Sequence, residues 1–266
     1  MLRKIAIIAG GDSSEYEVSL RSAAGIESFL SDQKQYATTI VLLRGQDWRA
    51  QVGADEWVVI DKNDFSYIYN GEKQRFDFAY ITIHGTPGEN GVLQGYLDMI
   101  GLPYSCCGVL AAAMTFNKYT CNHYLKGFGV RVAESLLLRK SDYQYPISDI
   151  LTQIGLPCFI KTNVGGSSFG VTKVKAVEEV QPAIEKAFAE GDEVICEAYM
   201  KGVEITCGAY KTRDKAVAFP ITEVVTSNEF FDYDAKYNGQ VDEITPARIP
   251  DELRDEVQAL TLKIYD

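Results

Sequence analysis

The sequence predicts an α/β fold in which helices cover a mostly parallel sheet, and three observations predict it. Residues 4–9 form a short apolar run that ends at Gly10 and Gly11, as a buried parallel strand does. Residues 17–30 then repeat apolar side chains at helical spacing. A second apolar run, residues 78–83, is again followed by a glycine-rich loop and a helical pattern. Strand and helix therefore alternate along the first third of the chain.

Composition narrows the class of protein. The chain has 266 residues, which at about 150 residues per domain allows two domains or three small ones. Lys and Arg number 26 against 37 Asp and Glu, a net charge of −11, so we expect no nucleic-acid or membrane surface. The six cysteines include no CxxC pair, and the N-terminal apolar run is too short for a signal peptide. We therefore expect a cytoplasmic protein with reduced thiols.

The remaining elements follow from apolar spacing and from turn residues. In the first third, strands are predicted over 37–43 and 57–60, a hairpin over 65–76 with Asn70-Gly71 at its turn, and a helix over 91–100. A second unit is predicted to begin near Cys106. Its predicted helices are 109–116, 117–126, 147–154 and 176–189, and its predicted strands are 132–138, 158–161, 171–174 and 194–197.

The last part of the chain is predicted to contain strands over 203–210 and 216–224, and then a helix. The helix is indicated by an amphipathic stripe of four residues, Leu253, Val257, Leu260 and Ile264. No glycine and no polar cap follow it before Asp266. A helix without a stop signal is typical of a chain in which more sequence follows, and we expect that here.

Two polar residues follow strands of the predicted sheet. Glu15 lies after the first strand, where Asp12 and Glu17 make the helix start acidic and suited to an ammonium group. A carboxylate that only stabilises the helix dipole is the alternative. His84 precedes a loop rich in glycine, where it could bind a carboxylate or move a proton, or serve a structural role.

Three later segments carry candidate binding residues. Lys161 ends a buried strand, where a lysine needs an anion, and the loop 162–170 offers backbone N–H groups and hydroxyls to a phosphate. No Walker A sequence is present, and an ordinary Gly/Ser turn is the alternative. Residues 230–237 fit either a lid that excludes water or an anchored surface loop. Glu197, before an apolar stretch, fits an adenine slot or a solvated carboxylate.

Six sequence blocks together resemble the D-alanine–D-alanine ligase family of ATP-grasp enzymes. In chain order they are GGDSSEYEVS, ITIHGTPGENGVLQGYLDMIGLPYSCCG, FNKYTCNHYL, IKTNVGGSSFGV, ICEAYMKGVEITCGAY and FDYDAKYNG. The resemblance implies an N-terminal parallel α/β (pre-ATP-grasp) substrate domain over residues 1–105 and the small ATP-grasp domain over 106–197. It implies that residues 198–266 begin a C-terminal ATP-grasp domain, with the lid loop, whose last part is missing.

The same resemblance implies roles for four residues near the substrate. Glu15 would orient the first D-alanine through its amine, and His84 would lie near that substrate's carboxylate. Ser167 and Tyr237 would form the hydrogen bonds that tie the lid over the substrate. Tyr237 also favours the dipeptide ligases over the D-lactate ligases.

The resemblance further implies an ATP site. Its phosphate contacts would be Lys118, Lys161, Gly166, Ser168 and Lys236, its adenine contacts Glu197 and Met200, and its ribose contact Glu204. Ala198 stands where many relatives have a lysine beside adenine, so that contact is lost. The metal would be Mg²⁺ or Mn²⁺, and no ligand for it is expected before Asp266.

The activity implied is the ATP-dependent joining of two D-alanines through D-alanyl phosphate, for peptidoglycan precursors, by a cytoplasmic homodimer that pairs through its first domain. Two alternatives stay open. Residues 1–266 lack the family's metal ligands, so they could act as a nucleotide- or amino-acid-binding module without turnover. The second alternative is another ATP-grasp ligase, which joins a carboxylate to a different amine or to D-lactate.

Overall fold

The computed structural model describes residues 2–31, 34–142, 146–166, 170–226 and 241–266. They form two compact units. The first comprises Met1–Cys121 together with Val164–Gly166, and the second comprises Asn122–Asn163 and Ser167–Asp266. The division into three parts at residues 105 and 197 stays a prediction. In the part of the chain that the structure describes, no helix has the length and apolar character needed to span a membrane.

The first unit alternates strands and helices as the sequence predicts. Its described elements are β1 (Arg3–Gly10), α1 (Tyr16–Ser31), β2 (Tyr36–Arg44), β3 (Asp47–Gln51), β4 (Trp57–Val59), β5 (Tyr67–Tyr69), β6 (Glu72–Gln74), β7 (Phe78–Ile81), α2 (Val92–Ile100) and α3 (Val109–Phe116). Helix α4 (Lys118–Gly127) contains the boundary between the units.

The main sheet of the first unit has the strand order β4-β3-β2-β1-β7. Strand β1 pairs in parallel with both β2 and β7, which confirms the parallel α/β core. Strands β3 and β4 extend the sheet in antiparallel fashion. Strand β3 is not predicted from the sequence, because Asp47, Arg49 and Gln51 alternate with only two apolar residues and resemble a polar turn.

Strand β1 owes its uninterrupted apolar sequence to burial on both faces. Ala6 and Ile8 pack with Leu43 and other residues of one core cluster, whereas Ile5 and Ile7 pack on the opposite face near α1. A strand covered on both faces has no need of polar alternation. The apolar run therefore indicates a central strand correctly.

The second unit holds a four-stranded antiparallel sheet and two smaller sheets. Its described elements after α4 are β8 (Ser135–Arg139), α5 (Ile147–Gln153), β9 (Cys158–Thr162), β10 (Thr172–Val174), α6 (Val180–Ala189), β11 (Glu193–Ala198), β12 (Glu204–Thr206), β13 (Ala209–Lys211), β14 (Ala216–Ala218), β15 (Thr222–Thr226), β16 (Val241–Ile244) and α7 (Asp251–Tyr265). The sheet orders are β10-β9-β11-β8, β12-β15-β16 and β13-β14.

The prediction of two long strands over 203–210 and 216–224 is wrong in detail. The first predicted strand is divided into β12 and β13, and the second into β14 and β15. Strand β12 pairs with β15 in one sheet, and β13 pairs with β14 in another. The breaks fall at Gly208 and at Pro220. Proline removes a ladder donor and glycine weakens strand pairing, so each residue favours a change of direction.

Candidate functional site

The first part of the site lies where β1 and β7 end side by side. The two strands are parallel neighbours, and β1 connects through α1 to β2 on its other side. Chain connections therefore diverge between β1 and β7, and ligands of open α/β sheets bind in the crevice at such a point. Glu15 follows β1 and His84 follows β7, and both are half-buried.

A serine hydroxyl ties these two loops together. Ser13 Oγ donates a hydrogen bond to the backbone carbonyl of His84 at 2.7 Å and accepts one from the backbone N–H of Glu15 at 3.2 Å. The structure thus brings the two predicted substrate residues to one edge of the sheet. The sequence alone does not identify Ser13, because a serine in a Gly-Gly-Asp-Ser-Ser turn is typical of an ordinary turn.

The loop after His84 is fixed by side chains from within its own unit. The Glu89 carboxylate accepts a hydrogen bond from the backbone N–H of Gly85 at 2.6 Å. Gln94 of α2 is 1% exposed and its amide donates to the carbonyl of Gly88 at 2.6 Å. A loop anchored at both Gly85 and Gly88 presents its backbone in one conformation, which reduces the entropy lost when a ligand binds.

Residues 164–166 belong to the first unit and lie beside two of the predicted site residues. The Lys118 ammonium donates a hydrogen bond to the carbonyl of Gly165 at 2.8 Å. A Cβ added at Gly166 would lie 3.0 Å from Glu15 Oε2, so the main chain approaches the carboxylate closely. Glycine at this position therefore permits a contact that any larger residue would crowd.

The second part of the site lies on one face of the four-stranded sheet. Phe159, Lys161 and Glu197 share this face, because Phe159 pairs with Glu197 and Lys161 with Ile195 in antiparallel register. The opposite face is apolar and packs against α5 and α6, with Ile160 and Cys196 fully buried in that core. One face of the sheet therefore supplies the core and the other carries polar groups.

Glu197 is the centre of the polar face. It is 8% exposed, and its Oε2 forms an ion pair with the Lys161 ammonium. Its Oε1 accepts a hydrogen bond from Asn122 Nδ2 at 2.8 Å. The sequence predicts that Lys161 needs an anion, and Glu197 is part of that anion. A lysine ammonium keeps further donors for a ligand.

Ser135 stands beside Glu197 on the neighbouring strand. Its Oγ is buried and has no hydrogen-bond partner among the described residues. Buried polar atoms normally have a partner, so this hydroxyl fits a face that accepts a bound polar group or a water molecule. The observation agrees with a ligand-binding face.

A cavity of about 550 Å³ lies next to this face. Phe159, Met200 and Glu204 contribute to its wall, so two residues predicted to bind adenine and ribose line one space. Tyr199 is also in the wall, and the Lys173 ammonium lies 4.4 Å from the centre of its ring. Aromatic and apolar walls with a few polar groups are typical of small-molecule sites.

The same cavity has a further acid that sequence reasoning did not identify. Glu223 is 7% exposed and receives two hydrogen bonds from the Arg248 guanidinium, at 2.8 and 2.9 Å. The hydrogen bond from Arg248 is the main reason that the pKa of Glu223 lies below its usual range. Glu223 therefore remains ionised and paired, and it closes the cavity wall on the β15 side.

Four predicted site residues, Ser167, Ser168, Lys236 and Tyr237, lie outside the described residues, as does the predicted lid over 230–237. Within the described ranges, no group of three or more His, Cys, Asp or Glu residues is arranged to hold a metal ion. We therefore assign no described residue to Mg²⁺ or Mn²⁺.

Comparison with known proteins gives a consistent result. The model of the D-ala D-ala ligase N-terminus matches residues 4–107, and that of the D-ala D-ala ligase C-terminus matches residues 124–266. The chain is 64% identical over 266 residues to the D-alanine--D-alanine ligase of Phocaeicola vulgatus, of which it covers 82%. The Bacteroides thetaiotaomicron D-alanine--D-alanine ligase is also 64% identical over the same length.

Solved structures of ligases also superpose on this chain. D-alanyl-alanine synthetase A from Vibrio cholerae superposes with a TM-score of 0.85 at 28% identity, over 99% of this chain and 80% of the other. The VanG D-Ala:D-Ser ligase of Enterococcus faecalis has the same score and identity, over 100% and 82% of the two chains. The Bacillus anthracis D-alanine--D-alanine ligase complexed with ATP has a TM-score of 0.74 at 26% identity, over 99% and 77%. Together with the two strand-end loops and the two-faced sheet, these matches show that the chain belongs to the D-alanine–D-alanine ligase family and has its ATP-grasp architecture.

Proposed function

We propose that this protein joins two D-alanine molecules at the expense of ATP, releases ADP and phosphate, and so supplies a peptidoglycan precursor. The observation that carries the proposal is the 64% identity along all 266 residues to a D-alanine--D-alanine ligase. The ATP complex of the Bacillus anthracis relative supports ATP as the nucleotide.

The proposed reaction has two steps. The carboxylate of the first D-alanine attacks the γ-phosphorus of ATP, ADP leaves, and D-alanyl phosphate forms. The amine of the second D-alanine then attacks the carbonyl carbon, loses a proton, and displaces phosphate. Both reactants of the first step are anions, so the step depends on cations held around the phosphates.

In this proposal the lysines stabilise the negative charge and Glu15 places the nucleophile. Lys118 and Lys161 bind phosphate oxygens, with Lys236, Gly166 and Ser168 as further contacts. Glu15 binds the ammonium group of the first D-alanine, and a fixed amine fixes the direction in which that substrate's carboxylate points. His84 interacts with the carboxylate near the same edge of the sheet.

The nucleotide and the lid complete the proposed site. Met200 and Glu204 hold adenine and ribose in the cavity that they line. Glu197 is paired in the sheet with Phe159, which also lines that cavity. Ser167 and Tyr237 bond the lid over 230–237 to the substrate, which keeps water from the acyl phosphate. Mg²⁺ or Mn²⁺ supplies further charge neutralisation when bound. We also propose a cytoplasmic homodimer.

The role of Glu15 is tested by Glu15→Gln, with Glu17→Gln as the matched control. Both changes remove a carboxylate at the start of α1, but Glu17 is exposed in the first turn. Loss of a charge-assisted hydrogen bond predicts that Glu15→Gln raises the KM for the first D-alanine by about tenfold or more and leaves the KM for ATP within about twofold.

Steady-state kinetics with both substrates varied give the two constants. Equal increases in both KM values would reject the role of Glu15, as would an equal effect of Glu17→Gln. A panel with D-alanine, D-serine or D-lactate as second substrate then separates the dipeptide ligase from a ligase of another amine or hydroxyl. Preference for D-lactate would reject the dipeptide assignment.

A further inference from the structure

Helix α4 has an asparagine, Asn122, in its interior, where this residue type contributes little to helix stability. Asn122 lies in the interior of Lys118–Gly127, one turn after Lys118. Asparagine is a poor helix former because its side chain competes for backbone hydrogen bonds. Asn122 is half-buried and its amide points away from its own helix backbone to a strand residue 75 positions along the chain. A tertiary contact therefore explains why an asparagine occupies this position in the helix.

The contact completes the environment of a buried carboxylate. Asn122 Nδ2 donates to Glu197 Oε1 at 2.8 Å, while Lys161 Nζ pairs with Glu197 Oε2. Each carboxylate oxygen thus has its own donor, one neutral and one charged. Rotation of the carboxylate would break both bonds, so the pair of donors fixes its plane and, with it, the direction of the lysine.

We propose that Asn122 is a positioning residue for ATP, which acts by fixing the Glu197 carboxylate that in turn holds the Lys161 ammonium toward the nucleotide phosphates. This deepens the proposed function and rests on it. In this arrangement Glu197 is the counter-ion of Lys161. The ammonium has three donors, so it can keep Glu197 and still bind a phosphate oxygen.

The neutral charge of Asn122 is essential to this arrangement. An aspartate at the same position would place a second carboxylate beside Glu197, and like charges at such a distance disfavour ionisation of both. Lys161 would then be drawn between two acids, with less of its charge available to phosphate. A neutral amide satisfies the second oxygen without this competition.

The test uses the complete enzyme and three variants of the network, Asn122→Asp, Glu197→Gln and the double variant that combines them. The double variant exchanges donor and acceptor, so one amide still faces one carboxylate and the net charge is restored. Lys126→Gln is the control on the same helix, because it breaks only the exposed pair between Lys126 and Glu134. The readouts are kcat, the KM for ATP, the KM for the first D-alanine and the thermal midpoint.

We expect Asn122→Asp to raise the KM for ATP by about tenfold or more, as loss of a charged-group hydrogen bond does, with the KM for D-alanine within about twofold. The double variant should recover most of the loss, and Lys126→Gln should match the wild type. A merely structural role would lower the thermal midpoint and shift both KM values together. That result would overturn the proposal.

Two other results would also overturn it. An ATP KM that Asn122→Asp leaves unchanged would show that the amide does not act on the nucleotide. A double variant as weak as Glu197→Gln alone would show that the exchanged amide and carboxylate do not restore the position of Lys161, and so that Asn122 does not act through this network. Should Asn122→Asp not fold, the double variant decides alone. Failure of the proposed function is distinct, because the wild type would then form no dipeptide.

Discussion

At the scale of single residues, Asp64 in the first unit is held by two cations. Its carboxylate pairs with Lys73 Nζ at 2.7 Å and with the Arg75 guanidinium at 2.9 Å. The hydrogen bond from Lys73 is the largest cause, followed by one from Ser66, that lowers the pKa of Asp64 from its ordinary value of 3.8 to about 2. Asp64 is therefore ionised in the folded protein to lower pH than in the unfolded chain.

This difference predicts a pH dependence of stability. A carboxylate whose folded pKa is depressed contributes stability that is fully present above its unfolded pKa and is lost as pH falls through the folded pKa. For Asp64 the window runs from 3.8 down to about 2. We expect Asp64→Asn to be less stable than wild type at pH 7 and to lose less stability across that window. Urea unfolding at several pH values measures both, and parallel pH curves would contradict the prediction.

Gly10 predicts a steric effect at the junction of β1 and the loop that carries Glu15. Its φ is 95°, and an added Cβ would lie 2.5 Å from the Leu43 carbonyl oxygen, which is fixed in β2. Gly71 is the matched control, because its φ is 79° but nothing lies within 4 Å of an added Cβ. Both positions disfavour an L side chain by about 1–3 kcal/mol, and only Gly10 adds a clash with backbone.

We therefore expect Gly10→Ala to lower the free energy of unfolding clearly more than Gly71→Ala does. Denaturant unfolding of the two variants and the wild type measures the difference. Equal losses would show that the close approach of Leu43 relaxes without cost.

Residue-level features differ in how far the sequence predicts them. Glu15 and His84 can be predicted to meet, because each follows an apolar strand and parallel strand ends share an edge. Ser13, Asn122 and Glu223 cannot, because each acts through a contact with a residue that is distant in sequence. Gln94 cannot either, because its contact with Gly88 depends on how the loop before α2 folds back on that helix. Asn122 gives the one usable signal, a poor helix former in a helix interior.

At the scale of elements, α6 stabilises the sheet that carries Lys161 and Glu197. Ile184 is 1% exposed and packs in the core on the face opposite those residues. Removing its side chain leaves a cavity, and we expect Ile184→Ala to cost about 2–5 kcal/mol. Glu185→Ala, an exposed change on the same helix, should stay within about 0.5 kcal/mol. Denaturant unfolding compares them, and equal costs would contradict the packing described.

The elements predicted best are those with long and regular patterns. Helix α1 and strand β1 are predicted within two residues, because burial on one or both faces imposes the pattern directly. The strands between residues 203 and 226 are predicted to be too long. Apolar residues lie on both sides of Gly208 and Pro220, so apolar spacing predicts continuous strands. The chain passes from one sheet to another at both residues, and apolar spacing alone does not predict that change.

At the scale of the whole molecule, nucleotide binding should stabilise the folded protein. A ligand that binds only the native state contributes about 2.7 kcal/mol at 100 times its Kd. We expect ADP to raise the thermal midpoint of the wild type and of Glu15→Gln alike, because Glu15 is proposed to bind D-alanine. A shift that Glu15→Gln abolishes would contradict the separation of the two roles.

The architecture follows from the sequence, because the alternating strands and helices of the first third and the six ordered motifs agree. The second-substrate preference does not follow in the same way. Relatives with the same fold include a D-alanine--D-alanine ligase and a D-Ala:D-Ser ligase. Such a preference depends on a few side chains around one amine or hydroxyl, and the fold tolerates several sets of them.

The proposed ligation of two D-alanines is checked by measuring its product. The complete enzyme is incubated with ATP, Mg²⁺ and D-alanine, and D-alanyl-D-alanine is measured by mass spectrometry together with released phosphate. The proposed ligase activity predicts one dipeptide for each phosphate and none without ATP. Nucleotide binding without dipeptide formation, or phosphate release without dipeptide, would contradict it.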